Sequence, residues 1–202
     1  MTAKKPSATK AKKFWKALAA EAAELHEGVF SEGFEGLRRA HTRVGELLRE
    51  HESELLYEMT NEGEKLVLLF TPEWDPERAE RIDWFLTHAP AIPDWVLYNR
   101  RQRKSCEIAF DLLENALGAD ARDARFSVVE VEGGVHLTMH SRVWAEFEPE
   151  YHPRWVRFFL SHALGEQLLM DHVPSVALAP PSPAKLLSPE AMIKRVDKLA
   201  AG

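Results

Sequence analysis

One order of elements is written twice along this chain: helix, strand, strand, helix, strand, first from Phe34 to Arg100 and again from Ser105 to Pro180. Segments in that order bury their apolar faces best as helices laid on a sheet, and neighbouring strands joined by short loops make the sheet largely antiparallel. An α+β protein is therefore expected. The 202 residues suffice for one substantial core or for two small ones sharing a sheet. Read from Trp95, the same elements spell strand, helix, strand, strand, helix, strand, which describes the layer pair as ferredoxin-like units rather than as a tandem repeat. Such shapes serve binding more often than any one chemistry.

The local signals set the boundaries. Lys4, Lys5, Lys10, Lys12 and Lys13 surround Pro6 and Ser7, so residues 1–12 are expected to form a disordered basic tail. A single domain over residues 13–180, with halves at 34–100 and 105–180, then opens on a helical hairpin. Its first helix carries Phe14, Trp15, Leu18, Ala22 and Leu25 and stops at Gly28; its second carries Phe34, Leu37, His41, Val44 and Leu48. The aromatic end of the hairpin packs on the sheet, because an exposed aromatic stripe is costly. Strands at 54–60 and 65–70 flank Asn61, Glu62 and Gly63, and the second, apolar on both faces, is central. Asp75 before Pro76 is an N-cap with proline in the first turn. Ser105 caps a helix whose inward face is Ile108, Ala109, Leu112, Leu113 and Ala116, ending at Gly118. Gly133 and Gly134 join two strands as a tight hairpin, and Val135, Leu137 and Met139 alternate with His136, Thr138 and His140. One long helix is expected from 153 to 170, then a strand at 176–178. A proline-rich linker and a short helix with an apolar stripe of Met192, Val196 and Leu199 fill 181–202, and that helix is too short to be stable undocked.

Composition narrows the class. A single cysteine excludes an intramolecular disulfide, and the Met-Thr-Ala-Lys-Lys start lacks an apolar leader, so a reducing cytoplasm is expected. No window resembles a membrane span. A formal net charge of -6 argues against general binding to nucleic acid.

Several residues invite a chemical role. His162 and Glu166, four apart on one helix, share a face and would serve as an acid and base pair or begin a metal site, although two ligands fall short of the four a structural site needs. His136 and His140 lie four strand residues apart, roughly 13 Å, too far to share an ion, and each is a candidate only for a polar groove. Cys106 opens a helix near Arg103 and Lys104, where a thiolate is favoured, although no histidine is placed beside it by sequence and a lone cysteine at such a position is more often a packed small residue. Arg100, Arg101, Arg103 and Lys104 form a basic loop suited to an acidic contact. Among the six tryptophans, Trp74 and Trp95 are taken as candidate binding anchors. No glycine-rich phosphate loop, nucleophile elbow or paired cysteine and histidine spacing is present, so no cofactor and no metal are expected.

Ala89 and Pro90 closing a helix, then Ile92, Pro93 and Trp95 leading into a strand, with Leu164, Gly165 and Glu166 late in a long helix, resemble a group of uncharacterised bacterial α+β domains. In some chains such a domain stands beside one similar to regulator B of ribonuclease E activity, a protein inhibitor. The resemblance covers about residues 47–180 and departs at Thr71, Pro72 and Glu73, where family members carry a glycine-bearing turn. It implies a regulatory or inhibitory protein contact and brings no active site with it. Two function classes follow. One is a non-catalytic cytoplasmic binding module, an inhibitor, immunity or adaptor protein, whose partner is another protein or a second copy. The other is a small enzyme with His162 and Glu166 as acid and base in a groove on the sheet.

Overall fold

Each of two units, divided between Arg100 and Arg101, carries its own three-stranded sheet with helices against it. The computed structural model describes residues 7–51, 55–118 and 120–201; the expectations for residues 1–6 of the tail and for a strand start at 54 lie outside the described residues. The class is α+β. The cores do not share a sheet, however. Trp95–Tyr98 pairs within the first sheet, so the order read from Trp95 onward is not one four-stranded ferredoxin-like layer.

The first unit runs α1 (Ala8–Glu32), α2 (Phe34–His51), β1 (Leu56–Glu62), β2 (Lys65–Thr71), α3 (Pro76–Leu86) and β3 (Trp95–Tyr98). β2 is central, antiparallel to β1 and, across the α3 crossover, parallel to β3. Leu66, Leu68 and Phe70 of β2 meet Phe14, Trp15 and Leu18 of α1, Val44 and Leu48 of α2, and Ile82 and Phe85 of α3 in one core. Each such side chain contributes roughly 1.5–3 kcal/mol on burial. The Trp15 indole N–H donates to the Phe85 carbonyl at 3.0 Å, so its polar end is satisfied inside that core. As expected, the Asp75 carboxylate accepts from the Glu77 and Arg78 amides ahead of Pro76. The turn before it reaches left-handed φ at Glu73 (45°) and Trp74 (66°) without a glycine.

Three expectations for this unit are corrected. α1 begins at Ala8, inside the stretch read as tail, because Ala11 already packs in the core. Gly28 does not end it; the helix continues to Gly33, whose φ of 60° breaks it. Gly28 instead faces Gly36, where an added Cβ would lie 2.0 Å from the Gly28 carbonyl oxygen, so the bare Gly36 lets α1 and α2 touch backbone to backbone. Phe34 is 76% exposed, and His41 also faces solvent; the α2 face that packs is Ala40, Val44, Leu47 and Leu48.

The second unit runs α4 (Cys106–Leu117), β4 (Arg125–Val131), β5 (Gly134–His140), two 3₁₀ turns (Arg142–Glu146 and Pro149–Tyr151), α5 (His152–Ala163), α6 (Glu166–His172), β6 (Ser175–Ala179) and α7 (Pro189–Ala200). β5 is central, antiparallel to β4 and parallel to β6. The β4–β5 hairpin turns on Glu132 and Gly133 (φ 80°) rather than on Gly133 and Gly134: Gly134 already pairs with Val131 as the first residue of β5, where an added Cβ would lie 2.2 Å from the His172 carbonyl oxygen. Val135, Leu137 and Met139 are buried while His136, Thr138 and His140 are half-buried, as the alternation requires.

The packing of α4 differs from expectation. Ile108 and Ala116 face outward, whereas Cys106, Ala109, Phe110 and Leu113 face inward, because the Phe110 ring stacks 4.5 Å from Phe159 and Phe159 lies 5.6 Å from Phe126. The expected long helix is two: it breaks at Gly165, whose φ is 82°. α7 docks on its own unit. Met192 and Val196 are buried, Leu187 exchanges two backbone hydrogen bonds with Phe126 (2.8 and 2.9 Å), and Arg195 pairs with Glu130 at 2.6 Å.

Candidate functional site

The break at Gly165 is built to receive residues 101–104. With no side chain on Gly165, the strap can approach until a Cβ there would stand 3.4 Å from the Arg103 nitrogen. The Glu166 amide donates to the Arg101 carbonyl at 2.9 Å, the Arg101 amide returns a bond to the Glu166 carboxylate at 3.1 Å, and the Lys104 amide donates to the His162 carbonyl at 2.7 Å. The buried Arg101 guanidinium lies 3.6 Å from the buried Glu166 carboxylate and 5.7 Å from the centre of the Phe158 ring. Arg103 closes the strap by donating to the Leu164 carbonyl (3.1 Å) and to both carboxylate oxygens of Asp197 (2.9 and 2.6 Å).

This arrangement is a clasp. His162 and Glu166 lie on opposite sides of the helix break and share no hydrogen bond; Glu166 turns to Arg101, and the His162 Nδ1 is buried without a partner. Burial, reinforced by the positive charges of Arg101 and Lys104, pushes His162 down to about 4, so the ring is neutral and a poor base near pH 7. A cleft of about 270 Å³ in this unit lies elsewhere, between the β4–β5 turn and α7, and Glu130 in its lining is paired with Arg195.

The other candidates are likewise placed in internal contacts. Trp95 is buried, donating its indole N–H to the Ala22 carbonyl at 3.1 Å, and so is a core residue rather than an exposed anchor. Trp74 is half-buried in the strained turn before α3. Arg100 is buried and pairs with both oxygens of Asp83 (3.2 and 3.0 Å), so of the expected basic loop Arg100 and Arg101 are folded inward while Arg103 and Lys104 stay exposed. His136 bonds the Ser175 hydroxyl at 2.7 Å and that of Thr138 at 3.2 Å, whereas His140 bonds the Pro180 carbonyl at 3.1 Å. Cys106 is buried, and burial followed by the nearby Glu190 carboxylate pushes its thiol up to about 11, the opposite of an activated thiolate. Among the described residues, no group of three or more histidine, cysteine or acidic side chains is placed to hold a metal ion.

What the sequence reading passed over is a lobe at 142–155. Ser141 starts it, donating to Asp123 at 2.6 Å, while the Arg142 amide and guanidinium reach the same carboxylate at 3.1 and 3.0 Å. Burial pushes the Asp123 carboxyl up, but these bonds outweigh it and hold it below its ordinary value. Val143 plugs inward, and the buried His152 ring bonds the Phe147 carbonyl at 2.9 Å, which closes the lobe. On this frame Trp144 is 40% exposed and Tyr151 46% exposed. Phe147 and Trp155 lie 6.0 Å apart beneath, with the Arg154 guanidinium 5.7 Å from the Trp155 ring. The signal was present as Trp-Ala-Glu-Phe-Glu-Pro-Glu-Tyr: aromatic residues among acids, without helix or strand periodicity, cannot all face a core.

Comparison with known families, with curated proteins and with solved structures found no match for this chain. No helix among the described residues is long and apolar enough to cross a membrane.

Proposed function

We propose that this protein is a non-catalytic binding module that regulates or inhibits another protein, and that the 142–155 lobe of the second unit makes the contact. The carrying observation is the pair of exposed aromatic side chains, Trp144 and Tyr151, held on a lobe closed by hydrogen bonds at both ends. Tryptophan and tyrosine are enriched among the residues that dominate protein interfaces, and a braced frame lowers the entropy lost on docking. The family resemblance at Ala89–Trp95 and Leu164–Glu166 points the same way, toward a regulatory protein contact. The acid and base reading loses its support because His162 and Glu166 are buried in the clasp.

The test is a paired capture from lysate of the source organism, with the full-length chain and the W144A/Y151A variant as baits of matched melting temperature. One protein retained stoichiometrically by the first bait and lost from the second is the expected result. Retention of the same protein by both baits would place the contact elsewhere.

A further inference from the structure

We infer that the partner of this lobe presents a basic surface, with lysine or arginine side chains over Trp144 and Tyr151 and against Glu146, Glu148 and Glu150. This rests on the binding reading above and adds the chemistry of the partner. The positive groups of the lobe are engaged internally: Arg142 with Asp123 and Arg154 over Trp155. The carboxylates are not. Glu146, Glu148 and Glu150 are exposed, and among the described residues no hydrogen bond or ion pair reaches their side chains.

Exposed aromatic side chains set in a stretch of exposed acids suit a cation, which a ring attracts electrostatically while the negative charge steers its approach. The overall charge of -6 adds to that steering and repels anionic partners such as RNA. A second copy fits poorly. A two-fold contact through the lobe would set three unpaired carboxylates against the same three.

The experiment titrates the isotope-labelled full-length protein with a peptide of about nine residues alternating arginine and leucine, and with its glutamate-for-arginine counterpart, following amide shifts. The arginine peptide is expected to shift signals of residues 142–155, and to bind about tenfold more weakly to E146Q/E148Q/E150Q or at raised salt. A control triple with the same charge change at exposed, unpaired acids, E24Q/E80Q/E132Q, should leave its affinity within about twofold. Equal weakening by both triples, shifts scattered over the surface, or equal binding of the glutamate peptide would overturn the inference. The two proposals fail separately: a partner captured through Trp144 but indifferent to E146Q/E148Q/E150Q removes the basic surface and leaves the binding reading standing.

Discussion

Lowering the pH from 6.5 to 4.5 should destabilise the second unit through one group, His162. Its ring is buried under the clasp with an unpartnered Nδ1, and it is pushed from an ordinary 6.5 down to about 4 by burial and by Arg101 and Lys104. The unfolded chain therefore takes up a proton that the folded chain refuses throughout this window, and stability falls as pH falls. A gap of that size corresponds to about 3 kcal/mol in full, with a slope approaching about 1.4 kcal/mol per pH unit. Acids held below their ordinary values, such as Asp197 beside Arg103, lose their contribution only at lower pH, as they protonate in the fold. Urea unfolding at stepped pH, read from amides of α5, should give a difference between wild type and His162→Gln that shrinks by about 2–3 kcal/mol from pH 6.5 to 4.5. His162→Leu provides the same comparison if the glutamine is poorly tolerated. A difference independent of pH would show that the ring is not held neutral, and the clasp would have to be redrawn.

Four further outcomes follow from the packing. Glu166→Leu removes the buried carboxylate 3.6 Å from the Arg101 guanidinium together with its bond to the Arg101 amide, and should cost about 3–5 kcal/mol in thermal unfolding of the second unit, with Glu166→Gln milder. Trp155→Phe removes a buried indole N–H that has no acceptor and should fall within about 1 kcal/mol of wild type, whereas Trp95→Phe breaks the bond to Ala22 and should cost more by calorimetry. Cys106 should resist alkylation at pH 8 in the folded protein and react fully in denaturant, consistent with a buried thiol pushed up to about 11. Deleting residues 184–202 strips the buried Met192 and Val196 from the sheet and should lower the melting temperature of the second unit while light scattering still reports the mass of a single truncated chain.

Much of the local structure was legible because short-range chemistry decides it. Asp75 with Pro76, Ser105 with Gly118 and Ser188 with Pro189 each satisfy backbone groups whatever the rest of the chain does. Longer-range choices were not written locally. Gly28 reads as a stop until Gly36 is known to lie against it, and Gly165 reads as one more helical residue until the 101–104 strap arrives. Phe110 displaces Ile108 from the core only because Phe159 stands opposite. Element order alone does not say which sheet a strand joins, so β3 could be read into either half. The site suffered most. Charged and polar residues that looked functional, Arg100, Arg101, Glu166 and His162, were those the fold buries and pairs or keeps neutral, while Trp144 and Tyr151 sat in a stretch with no period to draw notice.

The central claim is that Trp144 and Tyr151 meet another protein. The most direct measurement places a photo-cross-linking residue at position 144 in living cells, with position 167, an exposed site on α6, as the control. One discrete adduct from position 144, abolished by Tyr151→Ala and absent from position 167, is the predicted result. An unmodified chain at position 144, or the same adducts from both positions, would contradict the account.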